Sequence, residues 1–125
     1  MKKILILSVL TLVLFGCSKE NPRNKEGSVV FFTDKSASDF LTQRNVNTLS
    51  FYVNGQYVGS CSAREYWNSI PECGQNGTIT VTKNLGNASS LAYEYYIEDE
   101  RKVKWWSGIV NFVDNTCYKQ RLTSQ

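Results

Sequence analysis

Residues 51–58, Phe-Tyr-Val-Asn-Gly-Gln-Tyr-Val, constrain the fold of this chain more than any other stretch. Asn54-Gly55 flanked by β-branched and aromatic residues predicts a two-residue type I′ hairpin, because both turn positions need positive φ. Other strand-like runs follow at short intervals: Ser28–Thr33, Thr78–Lys83, Leu91–Glu98, Val103–Val113 and Tyr118–Thr123. Counting both hairpin arms, these make seven strands, and short strands separated by turn residues predict an all-β fold, a small antiparallel β-sandwich. Alternation over Leu91–Glu98 puts Leu91, Tyr93, Tyr95 and Ile97 on one face. Gly108, inside the longest run, reads as a bulge or bend. Ala63–Ile70 is the stretch with room for a turn or two of helix. Asp34–Asn47 reads as a loop or irregular edge from which Phe40 and Leu41 dip into the core.

The first 27 residues have a different character. Lys2 and Lys3 precede an apolar run, Ile4–Phe15, which ends at Gly16-Cys17. This is the charged, apolar and small-residue pattern of a secretory signal, and it is short for a bilayer span, which takes ~20 residues. Leu14-Phe15-Gly16-Cys17 resembles the bacterial lipobox. The resemblance implies cleavage before Cys17, a diacylglycerol on its sulfur and acylation of the new amine. Each buried methylene contributes about 0.8 kcal/mol, and two or more chains hold a protein firmly on a membrane. Residues 18–27 are polar and broken by Pro22, the composition of a flexible tether. The expected organisation is therefore a signal peptide over 1–16, a lipidated cysteine and tether over 17–27, and a β-sandwich over 28–125. Lys19-Glu20 is similar to charged signals that send some lipoproteins to the outer face of the outer membrane, so an outer-membrane location with either face open is the expectation. Loss of the leader leaves 12 basic against 11 acidic side chains. Nucleic-acid binding, which calls for a clustered basic face, is not indicated.

The hairpin carries a second resemblance. Phe51-Tyr52-Val53-Asn54-Gly55 with Val58-Gly59 is similar to the V-Y-V-D-G-x-x-V-G stretch of PEGA-type and carboxypeptidase-regulatory-like β-sandwich modules, and Asn84-Leu85-Gly86 resembles a later turn of theirs. Pro71-Glu72-Cys73-Gly74 and the late Cys117 resemble features of small bacterial surface lipoproteins. What these resemblances imply is an accessory or binding module without catalytic residues.

With Cys17 assigned to lipid, Cys61, Cys73 and Cys117 remain, enough for one intramolecular disulfide in an oxidising compartment. Chain entropy gives about 3 kcal/mol for Cys61–Cys73 and about 4 for either pairing with Cys117, too small a difference to choose. Cys73 and Cys117 both lie in turns at strand ends, which favours their pairing, with Cys61–Cys73 as the alternative. Cys61 is then the leftover thiol, expected to be buried rather than reactive, with an intermolecular disulfide as the alternative. These spacings contain no C-x-x-C, and the chain has no histidine, so a zinc site is disfavoured.

The lack of histidine also removes Ser-His-Asp and Cys-His nucleophilic sites. Glu94 and Glu98 lie ~13 Å apart along a strand, beyond what a glycosidase pair needs. They read as solvent-face charges. Glu98–Lys102 reads as a solvated hairpin turn, and two sequon-like stretches, Asn76–Thr78 and Asn87–Ser89, read as turns. No cofactor or metal is indicated.

The aromatics are the remaining functional candidates. Period-two geometry sends adjacent Trp105 and Trp106 to opposite faces, one into the core and one outward unless the second face is covered as well. Tyr52 and Tyr57 flank the hairpin turn, and Tyr96 lies opposite Tyr93 and Tyr95. An outward Trp with neighbouring tyrosines suits a protein or glycan partner, while ordinary cross-strand packing is the structural alternative. The sequence thus favours a non-enzymatic, lipid-anchored envelope module that binds a protein or glycan. A structural spacer or subunit of an envelope assembly, and a small hydrolase or hydrolase inhibitor, are the alternatives.

Overall fold

The computed structural model describes residues 24–125; the leader, Cys17 and most of the tether lie outside the described residues. Seven strands and one helix follow in order: β1 (Lys25–Thr33), α1 (Lys35–Gln43), β2 (Thr48–Val53), β3 (Gln56–Ser62), β4 (Ile79–Gly86), β5 (Ser90–Asp99), β6 (Lys104–Val113) and β7 (Cys117–Leu122). They form a sandwich of a three-stranded sheet, β4-β1-β7, and a four-stranded sheet, β3-β2-β5-β6. All pairings are antiparallel except β1 with β7, which run parallel.

The hairpin forms where the sequence places it. Asn54 and Gly55 have φ of 51° and 74°, and β2 and β3 continue on either side. Between the sheets, the inward row of β5 (Tyr95, Ile97) meets the inward row of β1 (Val29, Phe31), and the Phe31 ring lies 5.7 Å from Phe51 and 5.3 Å from Tyr95. Gly108 is no bulge: it pairs in register with Tyr95, and a Cβ there would lie 3.2 Å from the tyrosine ring. The missing side chain makes room for that ring.

Three local expectations are corrected. Residues 34–47 hold a helix, not a loop: the Asp34 carboxylate accepts from the Ala37 N–H at 2.9 Å as an N-cap, and Ala37, Ser38 and Leu41 are buried. Residues 63–70 hold no helix; this stretch runs irregularly along the end of β1, with the Trp67 N–H donating to the Thr33 carbonyl at 2.9 Å and the Thr33 hydroxyl donating to the Glu65 carbonyl at 2.8 Å. The segment read as tether ends early as well, because Lys25–Gly27 already pair with β4. Gly27 passes so close to β6 that a Cβ would sit 2.7 Å from the Val113 backbone.

Alternate residues of β1 also point away from the core, and these are buried too: Val30 completely, Phe32 to 4% exposure. Their cover is the segment 64–78. Thr80 and Lys119 flank Val30 on the neighbouring strands. The Thr80 hydroxyl accepts from the Gly74 N–H, while the Lys119 ammonium donates to the Pro71 carbonyl and pairs with Glu72 at 2.8 Å. Pro71 is fully buried by this arrangement. One row further along, Cys117 is joined to Cys73 by the disulfide, with Cα atoms 5.9 Å apart. The pairing favoured from the strand ends is therefore present, and Cys61 is free.

Candidate functional site

Among the described residues, the outward face of the four-stranded sheet has no such cover. In sheet order it presents Tyr57 from β3, Tyr52 from β2, Tyr96 from β5 and, at the start of β6, Lys104. Tyr52 pairs across the strands with both Tyr57 and Tyr96, so the three rings stand in one row. A register shift after Phe51 lets Tyr57 join the row. Tyr52 and Tyr96 stack at 4.6 Å and 12°, Tyr57 meets Tyr52 edge-on at 5.8 Å, and the Lys104 ammonium lies 4.3 Å from the centre of the Tyr96 ring. Each inner ring thus has both faces occupied, by another ring or by the ammonium. What is turned to solvent is ring edges, hydroxyls and the outer side of Tyr57, which is 59% exposed.

Carboxylates border the row. Partial burial raises the Tyr52 phenol pKa, and the charge and hydrogen bonding of Glu98 raise it further. Glu94 is exposed on the same face beside Ile109, which pairs with it and is itself 65% exposed. Glu94, Tyr96, Lys104, Ser107 and Ile109 line a shallow hollow of about 380 Å³. Chemically, the surface offers phenol hydroxyls, one ammonium, two carboxylates and an isolated aliphatic side chain.

The tryptophans do not belong to it. Ile97 pairs with Trp106 but Glu98 pairs with Lys104, so Trp105 is the extra residue of a β-bulge. An inserted residue breaks the period of two, and both indoles turn inward. Trp106 is 9% exposed, and its Nε1–H donates to the Thr123 carbonyl at 2.9 Å. Trp105 is half-buried, packs edge-on against Phe40 at 5.7 Å and donates from Nε1 to Asp99 at 3.0 Å. The expectation of one outward tryptophan is therefore corrected, and of the five aromatics singled out, Tyr52, Tyr57 and Tyr96 form the exposed cluster.

Asp99 is the charged residue that the reading of 98–102 as a solvated turn missed. It is 2% exposed, and its carboxylate accepts from the Trp105 indole and from the backbone N–H groups of Arg101 (2.8 Å) and Val103 (3.0 Å), with the Arg101 guanidinium at 3.3 Å. Burial alone would raise its pKa. The hydrogen bonds from Trp105, Val103 and Arg101 and the charge of Arg101 outweigh it and hold the carboxyl below the ordinary range. Neighbouring Glu100 accepts from the N–H groups of Asn47 and Thr48 at 3.1 Å each, tying the β5–β6 turn to the start of β2. A signal for Asp99 existed in the sequence: it continues the inward row 91, 93, 95, 97 by one more step.

Cys61 is half-buried against the core, and burial, aided by the charge of Glu65, pushes its thiol up to about 12. Such a thiol has little thiolate at neutral pH and is a poor nucleophile. Among the described residues no group of three or more His, Cys, Asp or Glu side chains is placed to hold a metal ion. Compared with protein-family models, with curated proteins and with solved structures, the chain finds no match, so its candidate site rests on its own geometry: the row Tyr57, Tyr52, Tyr96 and Lys104 on an uncovered sheet.

Proposed function

We propose that this chain is a non-enzymatic, lipid-anchored cell-envelope module that engages a protein partner through the outward face of its four-stranded sheet. The observation that carries the reading is the tyrosine row. Tyrosine is enriched at protein interfaces because it supplies rigid, amphipathic contact area, and here three stand side by side next to an exposed Ile109. The row also favours protein over glycan. Sugar rings are recognised by stacking on free aromatic faces, and the faces of Tyr52 and Tyr96 are already taken. Edges, hydroxyls and one aliphatic contact suit a polypeptide surface instead. The lipobox-like Leu14–Cys17 supports membrane attachment, most simply at the outer membrane, and the PEGA-like hairpin supports an accessory role.

The test places a photo-crosslinking amino acid at Tyr57 in the full chain, in the cell that produces it. A discrete adduct with another envelope protein, lost on Tyr96→Ala and absent when the probe stands at Tyr66, is the expected result. No adduct at Tyr57, together with binding on a glycan array that Tyr57→Ala abolishes, would replace the protein partner with a sugar. For the anchor, mass spectrometry of the mature N-terminus is expected to find an acylated Cys17; an intact Met1–Gly16 would overturn it.

A further inference from the structure

A sandwich of two sheets has four edge strands, here β3, β4, β6 and β7, and an open edge offers unpaired N–H and C=O groups to any other strand. Three of the four are blunted. Gly59 of β3 lies against the Ile79 side chain of β4, so these two edges meet at a corner of the sandwich, where β4 also carries Lys83. β7 carries Lys119 and Arg121 and is held by the cover segment through Pro71, Glu72 and Cys73. β6 differs. From Ser107 to Asn111 it has neither charge nor proline, and Ile109 at its middle is 65% exposed.

The phase of the ladder tells which backbone groups of β6 are open. The Asp114 N–H donates to the Ser89 carbonyl at 2.9 Å, while Ser90 pairs with Val113. In an antiparallel ladder, hydrogen-bonded and non-bonded pairs alternate. Phe112, Val110, Gly108 and Trp106 therefore bond to β5, and the N–H and C=O groups of Ser107, Ile109 and Asn111 point away from it. The open stretch is bounded at both ends. Gly27 lies on the Val113 backbone, and the Gln125 side chain donates to the Trp105 carbonyl.

We infer that this edge pairs with the same edge of a second copy of the chain, antiparallel, about a two-fold axis at Ile109. That register sets Ile109 against itself and Ser107 against Asn111, and every open N–H meets an open C=O. The side chains match as well: the two isoleucines cover one another on the outer face, and small polar groups lie on either side. Lys104 stands beyond one end of the open stretch and Asp114 beyond the other, so antiparallel alignment brings unlike charges to each end of the joint, whereas a parallel one would bring like charges together. The joined sheets form a single eight-stranded surface carrying two tyrosine rows. A foreign extended peptide would need side-chain pockets for its specificity, and what borders Ser107, Gly108 and Ile109 is the shallow hollow of the tyrosine face rather than a row of pockets. The pairing depends on the edge alone and not on what the tyrosines bind.

Cross-linking in the full chain with Cys61→Ser tests the register. Directly paired, hydrogen-bonded residues have Cα atoms about 5.5 Å apart, within disulfide reach. Ile109→Cys is expected to give a disulfide-linked dimer on mild oxidation. Ser107→Cys and Asn111→Cys are expected to cross-link when the two variants are mixed but not singly. Ile109→Lys, which sets like charges together on the axis, should lower the dimer fraction in sedimentation about tenfold or more. Tyr57→Ala and Tyr96→Ala should leave the cross-link intact, which separates this inference from the tyrosine-row reading. A monomeric Ile109→Cys chain, Ser107→Cys coupling on its own, or Ile109→Cys coupling to a different protein would each overturn it.

Discussion

Each sheet of this sandwich turns one face to the core and one away from it, and the two outward faces are treated in opposite ways. On the three-stranded sheet, Val30 and Phe32 point outward yet are buried, because residues 64–78 lie over them and are gripped by Thr80, Lys119 and Cys117. On the four-stranded sheet, the outward Tyr52, Tyr57 and Tyr96 have no segment of the described residues above them and pack against one another and Lys104. The first face is completed from within. That contrast points to where a partner would dock: a chain that closes one apolar face with a stapled loop and lines the other with tyrosines has treated the first as core and the second as surface.

The largest expected effect lies in the staple. Cys73 and Cys117 are 44 residues apart, and a closed loop of that length corresponds to about 4 kcal/mol in the chain-entropy account. Replacing both by serine is expected to lower stability by about that amount in urea unfolding. Hydrogen exchange sharpens the point. If the cover is held by its own contacts, amides of residues 71–75 keep protection in the double variant; if the disulfide alone holds it, they lose protection while β2 and β5 keep theirs.

Next comes Phe32→Ala, which opens a cavity beneath the cover and is expected to cost about 3 kcal/mol or more, as for a true core phenylalanine. Tyr96→Ala on the bare face should cost about 1 kcal/mol or less, the scale of a cross-strand aromatic pair. Equal costs at the two positions would erase the distinction between the faces.

The two sheets should also differ in what weakens them. A disulfide holds the covered face irrespective of pH, whereas the β5–β6 turn at the end of the bare sheet is held by the carboxylate of Asp99. Its pKa is depressed in the folded state, against about 3.9 in an unfolded chain. Its contribution is thus complete above roughly pH 5 and is lost as pH falls below 4 through the folded value. Asp99→Asn is expected to cost about 2 kcal/mol near neutral pH, by depriving buried donors of their charged acceptor, and to flatten the stability profile below pH 5. An unchanged acid slope would show that other carboxylates carry it.

What the sequence reveals follows the same division. The hairpin at Asn54-Gly55 and the row Leu91, Tyr93, Tyr95, Ile97 were legible because turn chemistry and period-two burial are local. The helix at Lys35–Gln43 was faint: nine residues, mostly polar, with an Asp34 cap and the spacing 37, 40, 41 as its signal. The bulge at Trp105 was not legible, because an extra residue shows only against the register of the partner strand. Neither was the cover, since residues 64–78 have no period and bury themselves through tertiary contacts. One trace of it was there: Val29-Val30-Phe31-Phe32 does not alternate, which is how a strand buried on both faces reads. The tyrosines were named from sequence, but their stacking, and with it the occupied ring faces, depends on pairings across three strands. The parallel entry of β7 beside β1 had no local signal either.

The smallest expected effect on stability belongs to Tyr57, and it bears most directly on function. Tyr57 is more than half exposed and touches the row only by an edge contact with Tyr52, so Tyr57→Ala should change unfolding by about 0.5 kcal/mol or less. Its effect on partner capture should be out of proportion to that, because an exposed ring at the end of a preformed row gains its burial only in a complex, where such anchors carry about 2 kcal/mol or more. Tyr66 is an apt control: it is 42% exposed within the cover segment, on the other sheet and outside the row. If Tyr66→Ala weakened capture as much as Tyr57→Ala, the bare face would lose its claim to be the binding face, because a tyrosine on the self-completed side would serve equally well.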